Sequence, residues 1–325
     1  MDKISPYYSF YIKGAVGAKT NSLVKIRLAA ENLEKSLSYK KTQEAYNSLL
    51  VCYMKLNENA LYEKTLFEAA ENGFAYFYAS CGMYYANHKE KYNKEESLSW
   101  FLKAMEAGEP KAFSDLANLY VTGCKAFESD YEKAEEVYLK GLALNDPKWN
   151  GYFNWALGLV EYEKKNYIKA ADYYKKAIES GYAQASFNLA LMYRDGIGVE
   201  KDPELYIQNL LRHLSVQSAL EIAGVYMLGQ YATEDREVAY IYLDYAAENG
   251  NPVGAIMCAA MIIEKDNYSE NLLNKYLEIT FRNGATDENM KAHYDEIEET
   301  LGEKVRKKLQ ELASKYWEIR RNEAY

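Results

Sequence analysis

The chain has 325 residues, of which 49% are hydrophobic, and carries a net charge of −9 with a pI near 5.2. This acidic balance argues against a nucleic-acid groove, which would need clustered Lys and Arg against the phosphates. The longest uncharged apolar run, Ala255–Ile263, is too short to span a bilayer, so no membrane partner is expected.

The N-terminal region lacks the pattern of a secretory leader, because its start is not basic and Lys13 interrupts the first apolar stretch. A cytoplasmic protein is therefore expected. The segment Gly14–Thr20 is superficially similar to a phosphate-binding loop, but Ala18 stands where that loop needs a glycine. We interpret it as a flexible lead-in to an amphipathic helix, Ser22–Ser38, which would cover the first repeat.

A helix ending rich in alanine and closed by glycine recurs in register along the chain. The closing residues are Gly73, Gly108, Gly181 and Gly250, and Gly284 closes a further unit. Their separations are one or two periods of about 35 residues. Such a period is typical of stacked helical arrays, in which no unit buries its apolar face without its neighbours.

A second pattern precedes each ending and places a large apolar residue, a small residue and often a tyrosine on one helical face. Its anchors are Leu49, Cys81, Leu116, Leu157, Leu189, Ile222 and Cys258. About seven units therefore fit, each with a helix A that carries this pattern and a helix B that ends in the glycine. Helix B is predicted at Tyr131–Leu142, Tyr167–Glu179 and Arg236–Glu248.

One unit carries a family resemblance. Its segment Leu189-Ala190-x-x-Tyr193-x-x-Gly196-Ile197-Gly198-Val199-x-x-Asp202 resembles the Sel-one-like repeat, a relative of the tetratricopeptide repeat. The resemblance to this superfamily extends from about Gln43 to Gly284. It implies an all-α fold, a right-handed α-solenoid of about seven antiparallel helix-pair repeats that serves as an interaction scaffold.

We divide the chain into an N-terminal segment with a capping helix (1–40), the repeat array (41–285) and C-terminal capping helices (286–325). The caps at the second end are Asp287–Thr300 and Gly302–Arg321, because terminal units must shield the open core. The apolar stripe of the last helix consists of Val305, Leu309, Leu312, Tyr316 and Ile319. Dimerisation or docking is the alternative role of this helix. The oligomeric state stays open, with a monomer slightly favoured.

The sequence shows no catalytic, cofactor or metal constellation. Its four cysteines are at least 29 residues apart, so they form no metal or redox pair. Ser38-Tyr39-Lys40-Lys41 fits the start of a penicillin-recognising motif set, but the partner motifs are missing. The three histidines, His88, His213 and His293, lie far apart along the chain. We therefore expect no enzyme.

In tetratricopeptide-like arrays helix A lines the concave surface, so the resemblance places its face opposite the anchor stripe in a groove. Helical spacing then selects the candidate partner-binding residues. They are Tyr76, Ser80, Met83, Lys111, Asp115, Asn118, Tyr152, Trp155, Leu159, Gln184, Asn188, Leu191, Gln217 and Glu221. The same face continues through Asp195, Gly224 and Leu228.

The strongest candidate on this face is the apolar patch of Tyr152, Trp155 and Leu159, since buried aromatic anchors commonly dominate binding energy. The alternative is that Trp155 lies in the core. Amide side chains, Asn118 among them, can pair with the backbone of an extended peptide through both donor and acceptor.

The leading hypothesis is a non-enzymatic cytoplasmic adaptor or scaffold that binds a protein or peptide in its concave groove. An acidic array favours partners with basic segments. One alternative is a hydrolase of cell-wall or β-lactam substrates with a site assembled across repeats. The other is a self-associating structural subunit.

Overall fold

The computed structural model describes residues 6–264, 269–282, 293, 295, 297–299 and 302–323. Every regular element among them is helical, which confirms the predicted all-α class. The chain divides into two compact units, residues 1–166 and 167–325. Among the described helices there is none with the length and apolarity that crossing a bilayer requires.

The described part of the first unit contains nine α-helices and one short 3-10 turn, Ala75–Phe77. The helices are α1 Pro6–Gly17, α2 Leu23–Tyr39, α3 Gln43–Lys55, α4 Asn59–Glu71, α5 Tyr78–Asn87, α6 Lys94–Glu106, α7 Pro110–Thr122, α8 Tyr131–Ala143 and α9 Asn150–Glu163.

Eight helices are described in the second unit. They are α10 Tyr167–Glu179, α11 Ala185–Asp195, α12 Pro203–Arg212, α13 Val216–Leu228, α14 Arg236–Glu248, α15 Pro252–Ile263, α16 Glu270–Arg282 and α17 Glu303–Glu323. Within each unit the helices pack mainly against their neighbours in sequence.

The repeat prediction is confirmed helix by helix. All seven anchors lie on helices, and these A helices are α3, α5, α7, α9, α11, α13 and α15. Each is followed in the chain by a B helix. In α7 the pattern is buried as expected, with Leu116, Ala117 and Tyr120 each no more than 8% exposed.

The predicted helix ends are also confirmed. Glycines 73, 108, 181 and 250 have φ between 75° and 85°, the left-handed conformation that closes a helix. The side chains of Asp130 and Asp235 cap α8 and α14 by accepting hydrogen bonds from backbone N–H groups three residues on. Two B helices have the predicted bounds, and α8 extends one residue further.

The prediction of a flexible lead-in at Gly14–Thr20 is wrong, because helix α1 runs to Gly17. Its glycines serve close packing against α2. A Cβ on Gly14 would lie 2.4 Å from Cγ of Leu33, and one on Gly17 would lie 2.7 Å from Cβ of Ala29. Only a residue without a side chain lets the two helices approach so closely.

The C-terminal helix α17 packs on α15. Its residues Val305 and Leu309 are buried in a cluster with Ile256 and Leu273, and Leu312 packs against the same cluster. The side chains of Tyr316 and Ile319, Gly284 and most of Asp287–Thr300 lie outside the described residues. The division of the chain at residues 40 and 285 stays a prediction.

Buried tyrosines donate hydrogen bonds to carboxylates on neighbouring helices. The pairs are Tyr46 with Glu68 at 2.8 Å, Tyr206 with Glu221 at 2.5 Å, Tyr276 with Asp244 at 2.6 Å, and Tyr53 with Glu34. Burial, and then the hydrogen bond to the carboxylate, raises the pKa of all four hydroxyls.

This raised pKa predicts alkaline unfolding. Tyrosines of the unfolded chain ionise at a pH of about 10, whereas the folded state keeps these four protons to a higher pH. The free energy of unfolding therefore falls as the pH rises above about 10. Tyrosinate absorbance measures the ionisation, and circular dichroism measures the helix content. Part of the ionisation should occur in the same pH transition as the loss of helix. Complete ionisation with unchanged helix content would contradict this expectation.

Candidate partner-binding site

In the first unit, the predicted residues of α5 and α7 have mixed exposure. Tyr76 lies in the 3-10 turn before α5 and is 45% exposed, so its placement on the helix is wrong. Ser80 and Met83 are half-buried in α5. Lys111 and Asp115 form an ion pair one helical turn apart on α7. These two charges therefore compensate each other on the surface.

Asn118 makes hydrogen bonds within the protein that the sequence did not predict. Its Oδ1 accepts a hydrogen bond from the hydroxyl of buried Tyr138 at 2.6 Å, and its Nδ2 donates to the hydroxyl of Tyr152 at 3.1 Å. Ser114 Oγ donates to the same hydroxyl at 3.1 Å. A buried hydroxyl needs a partner, so this exposed amide also supports the packing of Tyr138, and its role in partner binding stays a prediction.

The predicted aromatic patch lies on α9. Trp155 is half-buried beside Tyr152, with ring centroids 5.7 Å apart, while Phe153 is fully buried. Leu159 is also half-buried. Trp149 extends this patch, with its ring 5.7 Å from that of Tyr152, and was not predicted from the sequence. Its position just before the helix removed it from the periodic pattern.

In the second unit, α11 and α13 carry the remaining predicted residues. Gln184 is exposed and precedes α11 as its cap residue. Asn188 and Leu191 are half-buried on α11. On α13, Gln217 is exposed and Glu221 is half-buried.

A cleft of about 580 Å³ opens between α11, α12 and α13. Four of its lining residues, Gln217, Glu221, Gly224 and Leu228, belong to the predicted groove face. The others are Phe187, Arg194, Tyr206, Leu220, Val225, Gln230 and Tyr231. Helical spacing from one anchor predicts only the cleft residues of one helix, here α13. The residues that α11 and α12 contribute cannot be found in this way.

Arg194 and Glu221 form the polar centre of this cleft. Nη1 of Arg194 donates to Glu221 at 3.0 Å, and Nε and Nη2 donate to the two oxygens of Asp195 at 2.8 and 3.0 Å. Tyr206 donates to Glu221 from the buried side. The hydrogen bonds from Arg194 lower the pKa of Asp195 below its usual value.

The helices around the cleft are acidic. Residues 185–248 contain four Lys or Arg and ten Asp or Glu. Arg194 neutralises only one of the two carboxylates that it contacts, so the centre of the cleft retains an excess negative charge. Its walls are apolar at Phe187, Leu220 and Val225.

Four segments of the chain match the family model of the Sel1 repeat. They are residues 74–109, 155–182, 183–205 and 216–251. The last two contain most of the cleft described above.

Two crystal structures show the same fold. The chain is 18% identical to a Sel1 repeat protein from Oxalobacter formigenes, with a TM-score of 0.52, and the match covers 80% of this chain and 99% of that one. It is 19% identical to c5321, a protective antigen of uropathogenic Escherichia coli with an SLR fold, also with a TM-score of 0.52. That match covers 95% of this chain and 69% of the antigen. Four segments of the chain are therefore similar to the Sel1 repeat, and the chain has the fold of these two Sel1-type structures.

Proposed function

We propose that this protein is a non-enzymatic interaction scaffold that binds a peptide segment of a protein partner in the α11–α13 cleft. The observation that carries the proposal is an open apolar cleft with a polar centre on repeats of a superfamily commonly used for protein interactions. The half-buried patch of Tyr152, Trp155 and Leu159 is proposed as a further contact surface.

The chemistry of the cleft favours a peptide with an apolar side chain next to a basic one. Phe187 and Leu220 offer apolar contact to the first. Glu221 accepts hydrogen bonds from Arg194 and Tyr206 and keeps acceptor capacity for an incoming ammonium or guanidinium group. Gln217 and Gln230 can pair with peptide backbone.

Gly224 allows the cleft to be filled without disturbing the core. A Cβ at this position would have no atom within 4 Å outside its own helix backbone. Gly224→Phe should therefore place a ring in the cleft, whereas Gly224→Ala leaves the cleft open. The alanine variant should also be more stable by about 0.5–1 kcal/mol, because glycine is unfavourable inside a helix.

The test selects peptides from a random phage-displayed library on the native protein and measures their affinity for both variants. We expect selected peptides to combine Lys or Arg with Leu, Ile or Phe. They should bind Gly224→Phe about 30-fold more weakly or worse, a loss of about 2 kcal/mol, and bind Gly224→Ala normally. Equal binding to both variants, or selection of no peptide, would exclude the cleft as the site.

A further inference from the structure

The first two helices expose large apolar side chains. In α1, Tyr8, Ile12 and Val16 are 53%, 54% and 65% exposed and follow each other at four-residue spacing, so they form one stripe. In α2, Leu23, Val24 and Leu28 are 62%, 80% and 59% exposed. We name these six residues the N-terminal apolar face.

The packing of α1 and α2 leaves this face exposed. The opposite side of α1 is already packed, since Gly14 and Gly17 lie against α2 and Tyr7 is buried. An apolar outer surface of this size therefore indicates an interaction surface.

Most of the charged residues near the face are basic. Residues 6–30 contain Lys13, Lys19, Lys25 and Arg27 and no Asp or Glu, although the whole chain has a net charge of −9. All four are exposed. Arg27 forms an exposed ion pair with Glu58 at 3.3 Å, and among the described residues the three lysines form no ion pair. The surface is thus both apolar and basic.

The combination of apolar and basic side chains limits which partner can bind the N-terminal apolar face. A symmetric contact with the same face of a second copy would bring like charges together, which costs binding energy. A segment of opposite charge that also exposes apolar side chains occurs elsewhere in the chain. Residues 185–248 have six more acidic than basic residues and expose apolar Leu211, Leu228 and Ile241 at 49%, 57% and 62%.

We propose that the N-terminal apolar face of one copy docks on the acidic surface of residues 185–248 of a second copy. The contact is head-to-tail, because two different surfaces meet. It differs from the self-association through the C-terminal helix that the sequence analysis considered, and it replaces the monomer that the sequence slightly favours. Leu228 also lines the proposed peptide-binding cleft, so docking would cover part of that cleft, but the test below uses no peptide.

Sedimentation of the full-length protein over a range of concentrations tests the proposal. We expect the average mass to rise with concentration at about 50 mM NaCl and to rise less at about 0.5 M NaCl, because salt screens opposite charges. Ile12→Glu/Val16→Glu should weaken association at least about tenfold, since both side chains are exposed and apolar. Leu102→Glu, 54% exposed on α6, is the matched control and should associate normally.

Charge substitution distinguishes the two geometries. Lys19→Gln/Lys25→Gln should weaken a head-to-tail contact with an acidic surface and strengthen a symmetric contact between basic faces. Circular dichroism confirms that each variant is folded. A native protein that stays monomeric at all concentrations, or lysine variants that associate more strongly, would overturn the proposal. Binding of the monomer to phosphatidylserine vesicles, lost in Ile12→Glu/Val16→Glu, would assign the face to membranes instead.

Discussion

Gly198→Ala is expected to lower the free energy of unfolding by about 3 kcal/mol. This glycine lies in the loop between α11 and α12 with φ of +70°. A Cβ there would lie 2.4 Å from both the carbonyl carbon and the carbonyl oxygen of Tyr167. Since backbone atoms cannot rotate away as a side chain can, the loop or the start of α10 must move. Urea unfolding followed by circular dichroism measures the loss.

Gly196→Ala is the matched control two residues earlier. Its φ of +68° is nearly the same, but the nearest atom to an added Cβ is Cβ of Lys201 at 3.3 Å. It should cost only about 1 kcal/mol, the usual penalty for alanine in the left-handed region. The difference between the two variants isolates the contact with Tyr167. Equal losses would show that this contact contributes nothing to stability.

Phe153→Ala is expected to destabilise the first unit by about 4 kcal/mol, because a large buried ring is replaced by a cavity. The Phe153 side chain is fully buried, and its ring lies 5.8 Å from that of Trp149 and 6.4 Å from that of Tyr138. Its removal also takes support from Tyr152, whose ring centroid is 5.9 Å away. Urea unfolding gives the magnitude, and tryptophan fluorescence reports the local environment.

A double-mutant cycle with Gly141 tests the physical cause of this loss. A Cβ on Gly141 would lie 2.6 Å from Cζ of Phe153, so Gly141→Ala in the native background should cost about 1–3 kcal/mol through overpacking. In the Phe153→Ala background, the same methyl group enters the vacated space. The double variant should therefore lose at least about 1 kcal/mol less than the sum of the two single losses. Strict additivity would contradict the proposed contact.

The helices were predictable because their signals are local and repeated. The caps Asp130 and Asp235 and the closing glycines act within a few residues of the helix ends that they set. The recurring pattern also identified buried anchor residues correctly, as at Leu116 of α7 and Leu157 of α9. These features require no knowledge of distant residues.

The errors concern residues whose role depends on another helix. The glycines of α1 indicated flexibility by themselves, yet Leu33 and Ala29 of α2 turn them into a packing surface. The hydrogen bond between Asn118 and Tyr138 of α8 was not predicted, because the two residues lie on different helices. Arg194 was overlooked because only the cleft brings it to Glu221. Tertiary contacts of this kind have no local signature.

The helices pack mainly against their neighbours in sequence, and this has a consequence for the evolution of the gene. A gene rearrangement that duplicates or removes one whole helix pair creates a junction between surfaces of the same kind, because neighbouring pairs repeat the same small and large apolar positions. Descendants of such a gene can therefore differ in length by steps of about 35 residues without redesign of a central core. Selection then acts on the added or lost surface more than on folding.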